Sequence, residues 1–211
     1  MARRAAPSSP RRPPFRPGFT SSGAALALPR REATCRLMEP KPFMPNGGPN
    51  AGPTRWSTPA DAEVLARLHA ETWRYAYSGV IPDPGLSRLI SRRGPDWWRR
   101  MHEARGSALL GLLGRQVVAY ALIGRSRAGA GGEIWELYVH PDCHGAGYGR
   151  RLFDVARDQF AEAGLAPVSV WCLEENALGL GFYRALGGEE SPSGSYRIAG
   201  ARLSARRFIW T

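Results

Sequence analysis

The sequence predicts a mixed α/β domain, and three observations predict it. Within residues 133–158 a glycine-rich turn joins an apolar strand to an amphipathic helix. Helical and strand-like periods alternate through residues 54–173. The tail then reads as a helix followed by a strand pair around Gly200, so helices and strands are interleaved rather than segregated.

In chain order, residues 1–53 are rich in Pro, Arg, Gly and Ser and lack a hydrophobic period, which predicts a disordered extension. The net charge of +11 over 211 residues divides into +8 through Arg55 and +3 beyond it. A basic arm of this kind suits nucleic acid only when aromatic residues interleave it. Phe15, Phe19 and Phe43 are too sparse for base stacking, which argues against such a partner. Met38 and Met44 are alternative starts that would remove most of the extension. The domain proper is expected over residues 54–211.

Thr54–Trp56 is a short first strand. Thr58, Pro59, Asp61 and Glu63 then announce a helix through an N-cap residue, a proline at the first position and acids at the positive end. Val64, Leu65, Leu68, Thr72 and Trp73 share a face of that helix. Residues 83–90 and 95–105 predict two further short helices. Residues 108–113 and 116–123 are strands joined at Gly114-Arg115, a two-residue hairpin. A flexible turn at 127–132 leads to the central strand and its helix, which ends near Gly164. A strand at 167–173, a helix at 176–186 and a hairpin of 196–198 with 203–210 complete the domain. The strand-helix-strand run through residues 133–173 implies a parallel pair in an otherwise antiparallel sheet.

Several function classes are excluded. No stretch approaches the roughly 18 apolar residues of a membrane span. Cys35, Cys143 and Cys172 are odd in number and scattered, which predicts a reducing, cytoplasmic setting rather than a disulfide framework. His140, Cys143 and His144 form an incomplete ligand set, so no metal is expected.

The turn carries the chemistry. Gly145, Gly147 and Gly149 leave backbone N–H groups bare at a helix start, where the helix dipole favours an anion. No Lys-Ser/Thr pair follows the glycines, so this is not a nucleoside-triphosphate loop. The G-x-G-x-G spacing also departs from the dinucleotide fingerprint.

Two segments, L-Y-V-H-P-D-C-H-G-A-G-Y-G-R-R-L and E-E-N-A-L-G-L-G-F-Y-R-A-L-G-G, resemble the GNAT superfamily of N-acetyltransferases. The first is similar to that family's Q/R-x-x-G-x-G/A motif, and the second to its later helix, with an Asn seven residues before a Tyr. The resemblance implies a GNAT fold: a mostly antiparallel twisted sheet with a parallel pair splayed at the cofactor cleft, flanked by four to five helices. It implies acetyl-CoA as co-substrate, held by Leu137, Tyr138 and Val139 along the strand, by His144, Gly145, Ala146, Gly147, Tyr148, Gly149 and Arg150 at the phosphates, and by Asn176. It implies Val139 N–H as oxyanion donor, Tyr183 as general acid, and Glu133 or Glu136 as base.

Strand alternation sends the two carboxylates to opposite faces unless a bulge shifts the register; Glu133 is the favoured base. Trp171 stands where ribosomal-protein alanine acetyltransferases carry a glutamate. His144, Ala146 and Gly188 depart from the family pattern. Trp73 and Tyr77 share a helical face, as core residues or as the wall of an acceptor cleft. The expected partner is a small-molecule or protein amine, with the chain a monomer or homodimer. The alternative is a non-catalytic acyl-CoA-binding protein whose basic arm engages a partner.

Overall fold

The computed structural model describes residues 52–105, 108–127 and 129–211, so nearly all of the expected disordered extension lies outside the described residues. Seven strands form one sheet in the order β1-β2-β3-β4-β5-β7-β6. They are β1 (Thr54–Trp56), β2 (Leu109–Leu113), β3 (Gln116–Arg125), β4 (Gly132–Val139), β5 (Val168–Leu173), β6 (Glu189–Ile198) and β7 (Ala201–Trp210). Every pairing is antiparallel except β4 with β5. The helices are α1 (Ala62–Tyr77), α2 (Asp83–Ser91), α3 (Pro95–Arg105), α4 (Tyr148–Glu162) and α5 (Ala177–Ala185).

Both sheet faces are buried, each under its own cluster. On one, α1, α2 and α3 bury Leu65, Trp73, Tyr77, Trp98 and Tyr120. On the other, α4 and α5 bury Leu152, Phe153, Phe160, Tyr183 and Phe208. A strand covered on both sides reads as near-continuous apolar sequence, as Val117 to Leu122 does. Gly132 lets α4 sit close to β4: a Cβ there would lie 2.5 Å from the Phe160 ring.

Three departures from the sequence-based reading have physical causes. β6 begins at Glu189, well before the expected Tyr196, because Glu189–Ser195 has no strand propensity and is recruited by pairing with β7. It is the edge strand, where Pro192 is tolerated beside a register shift between Ser191 and Gly194. Pro59–Asp61 forms a 3₁₀ turn ahead of α1 rather than its first α-helical turn. Finally, β4 carries a bulge, since Leu122 faces Glu136 while the next residue, Ile123, faces Ile134. Trp135 is the extra residue. The bulge overturns simple alternation, and Glu133, Trp135, Glu136 and Tyr138 all turn toward the α1 side of the sheet.

The start of α1 is pinned by charge. Arg55 reaches both Asp61 oxygens at 2.8 and 2.7 Å, and the Thr58 N–H donates to the same carboxylate at 2.7 Å. The Arg55 hydrogen bonds lead the effects that hold the Asp61 carboxyl at about 2. A carboxylate with a depressed pKa stabilises the fold fully above its unfolded value and loses that contribution as pH falls toward the folded one. Solvent screens the half-exposed Arg55, so the contribution is about 1 kcal/mol. Asp61→Asn is therefore expected to lower stability by about that amount at pH 7, in denaturant titrations. The gap to wild type should close between pH 4 and 2.

Candidate functional site

The site is made where two strands part. β4 and β5 pair only at Gly132–Val168, Glu133–Ser169 and Ile134–Val170. Beyond Ile134, β4 stays with β3 while β5 stays with β7, so Leu137–Val139 have no strand on the β5 side. A cleft of about 550 Å³ fills the gap, walled by Leu137–Val139, the glycine turn, Asn176 and Tyr183. Thr72 and Tyr75 of α1 and Leu178 and Phe182 of α5 line it as well; none of these was expected at the site from sequence.

The turn after β4 is tightly wound. His140 N–H holds Val118 O, Cys143 N–H holds His140 O, and Ala146 N–H holds Cys143 O at 2.8, 2.9 and 3.3 Å. Gly145 and Gly147 have φ of 77° and 89°, in the left-handed region where a side chain is strained. The first α4 bond runs from Arg151 N–H to Gly147 O at 2.9 Å. The N–H groups of Gly149 and Arg150 thus precede the helical ladder and face outward at the positive end of the dipole. Backbone N–H groups so placed suit an anion. A Cβ on Gly149 would stand 3.3 Å from Phe182, so the third glycine serves close packing of α4 on α5.

Side chains around the turn are partly committed. Arg150 Nε donates to both oxygens of Asp154, at 3.0 and 2.9 Å, which orients the guanidinium at the cleft wall. His144 lies with its Nε2 3.0 Å from Val139 O, so the proton sits on Nε2 because a carbonyl can only accept. Burial lowers the His144 pKa and keeps the ring neutral near pH 7. Tyr75 meets that ring edge-on at 5.5 Å. Ala146 and buried Tyr148 pack toward the α4 core.

Asn176 is the N-cap of α5, its Oδ1 accepting the Gly179 N–H at 2.7 Å and its Nδ2 donating to Cys172 Sγ at 3.4 Å. That cap puts α5, and with it Tyr183, against the cleft. Tyr183 is buried among Phe182, Phe208 and Trp210, and desolvation drives its hydroxyl well above the ordinary tyrosine value. Tyr138 extends the wall, with its hydroxyl 3.1 Å from that of Tyr77. Trp73 and Tyr77 are core residues 4.7 Å apart, and Tyr77 meets the cleft through Tyr138.

The two strand carboxylates have different surroundings. Glu136 is ion-paired with Arg93, and its other oxygen accepts from the Tyr120 hydroxyl at 3.0 Å. His69 Nδ1 lies 2.9 Å from that hydroxyl. Because Tyr120 spends its one proton on Glu136, His69 must donate from Nδ1. Arg93 also lies over Trp73 and Trp97, 5.6 and 4.7 Å from the ring centroids. Nothing in the sequence links residues 69, 93, 120 and 136, so this buried network was invisible there. Glu133 is 5% exposed. Its Oε2 accepts the Arg127 N–H at 2.9 Å and the Ser126 hydroxyl at 3.4 Å, and among the described residues no donor is seen on Oε1. Neither carboxylate lines the cleft. Among the described residues no three His, Cys, Asp or Glu side chains group as metal ligands, and no helix is long and apolar enough to cross a membrane.

Known proteins resemble this chain in sequence or fold. YuaI of Bacillus subtilis (strain 168), named an uncharacterized N-acetyltransferase, is 27% identical over 158 residues, 71% of this chain and 87% of its own length. The PaiA N-acetyltransferase of Thermoplasma acidophilum, solved with coenzyme A, superposes with a TM-score of 0.60 at 15% identity, covering 73% of this chain and 96% of its own. YncA of Salmonella typhimurium, a putative acetyltransferase solved with acetyl-CoA, gives 0.58 at 18% identity, covering 77% and 94%. The profile of the acetyltransferase (GNAT) family matches residues 65–187, which include the open β4 edge, the glycine turn and α5 up to Tyr183. The chain belongs to the acetyltransferase (GNAT) family.

Proposed function

We propose that this chain is an acetyl-CoA-dependent N-acetyltransferase that passes the acetyl group directly to a primary amine in a ternary complex. The observation that carries the reading is the unpaired β4 edge at Leu137–Val139, running into the backbone anion cradle and facing Tyr183. Acetyl-CoA supplies a thioester whose carbonyl carbon is the electrophile. An extended arm can add to an open strand edge by backbone hydrogen bonds, and Leu137 to Val139 offer that edge. The bare N–H groups of Gly149 and Arg150, in the turn opened by Gly145 and Gly147, suit a pyrophosphate. Arg150 stands at the same wall. His144, being neutral, adds a packed ring but no charge.

The amine attacks the carbonyl carbon, the C–S bond breaks, and the products are an amide and a thiol. Val139 N–H stabilises the oxyanion in this reading. Glu133 takes the amine proton directly or through one water, because its Oε1 is uncommitted, whereas both Glu136 oxygens are held. Tyr183 offers its hydroxyl to the departing sulfur. A phenol raised above 10 is a weaker acid than a thiol near 8.5, so Tyr183 stabilises the thiolate chiefly by hydrogen bonding, and full transfer is uphill.

Three outcomes test the reading. Tyr183→Phe should lower kcat about 100-fold while the coenzyme A Kd changes less than about twofold. An inactive wild type and variant that both bind coenzyme A would favour a pure binder. The deficit should stay constant from pH 7 to 9.5, since burial keeps the tyrosine protonated across that range; a deficit that shrinks above pH 8 would remove Tyr183 from the step. Gly147→Ala forces a side chain into the left-handed region at about 1–2 kcal/mol, so the acetyl-CoA Kd should rise about tenfold by calorimetry.

A further inference from the structure

The α1 side of the sheet carries a second constellation, just below the point where β4 and β5 part. Trp135 lies on Gly124 of β3, where a Cβ would come within 2.4 Å of the indole. Trp171 lies against Gly194 of β6, where a Cβ would come within 2.9 Å. Each indole thus lies close against a glycine, partly buried beside the α1-side cluster. The register places Glu133 beside Ser169, and Trp171 beside Arg207, on the sheet floor between them.

The floor is polar and incompletely satisfied. Arg207 donates from Nη2 to Ser169 Oγ at 3.1 Å and to Ser126 Oγ at 3.4 Å. Its Nε is buried without a partner, and its guanidinium lies 6.0 Å from the Trp171 ring centroid. It meets no carboxylate among the described residues. Glu133 touches the same Ser126 hydroxyl at 3.4 Å, so anion and cation stand one hydroxyl apart without forming an ion pair. A second cation, Arg127, covers Trp135 at 4.9 Å. In this part-buried side chain the buried Nε–H is left an orphan, which is costly unless an anion completes it. A simple amine would satisfy Glu133 alone and leave Arg207 as it is.

We infer that the acceptor is an amino acid: its amine is taken by Glu133, its carboxylate by Arg207 with Ser169, and its side chain lies between Trp135 and Trp171. This rests on the acetyltransferase reading of the cleft and adds the acceptor class to it. Polyamines and other amines without an anionic group suit this cluster poorly, because they bring a second cation to Arg207 and Arg127.

The test compares matched acceptors, tryptophan with tryptamine and phenylalanine with phenethylamine, on the full chain. Wild type should favour the carboxylate-bearing member by at least about tenfold in kcat/KM, since a site built to bond a group discriminates against its absence. Arg207→Gln should collapse that ratio toward one, and Arg207→Lys should restore part of it. A thermal melt confirms that the variants fold, and the wild-type ratio decides without them. Equal rates, or preference for tryptamine or phenethylamine, would overturn the inference while leaving acetyltransfer intact. Should no amine be acetylated, the acetyltransferase reading falls, and calorimetry with coenzyme A present still decides the acceptor site. Tryptophan binding more tightly than tryptamine supports it; equal or undetectable binding of both overturns it.

Discussion

Everything at this site depends on how briefly β4 and β5 stay together. Three paired residues hold the strands parallel, and then each follows its other neighbour. The β5-side backbone edge at Leu137–Val139 is left facing a cleft, with the Val139 carbonyl held by His144, and an open edge is usually costly unless something pairs with it. The same parting makes room for α5, whose Asn176 cap seats Tyr183 at the inner end. Cleft, cradle and hydroxyl are thus consequences of one topological choice.

The bulge at Trp135 is the second constraint. It turns Glu136 into the α1 side, where Arg93 and Tyr120 complete it, and leaves Glu133 on the same face. A buried ion pair contributes little net stability, because desolvation offsets the attraction, but removing one partner is costly. Its clearest structural effect is to tie the α2–α3 junction, where Arg93 sits, to β4. That tie fixes the α1 wall against which Tyr77 and Tyr138 meet. The two carboxylates therefore divide their tasks, one inside the scaffold and one with an oxygen to spare.

What was legible in the sequence is what is local. The glycines at 145, 147 and 149, set between a strand and a helix, announce a helix-start cradle, and Asn176 caps the short helix that carries Tyr183. The β2–β3 hairpin followed turn chemistry at Gly114-Arg115. The bulge was legible only as an alternative, because a single inserted residue leaves no mark on an apolar run. The Arg93–Glu136–Tyr120–His69 network was not legible, since its members lie on four elements. The first half of β6 was not legible either, because its strand state comes from β7 rather than from its own residues.

The central claim is that the open β4 edge receives acetyl-CoA by backbone pairing, ending in the glycine cradle. Amide hydrogen exchange with and without acetyl-CoA tests it most directly. The account predicts slowed exchange at residues 137–139 and 145–150 and at Asn176, with little change in β1 and β2. Binding that leaves those amides unprotected, or protection confined to another face of the sheet, would contradict it.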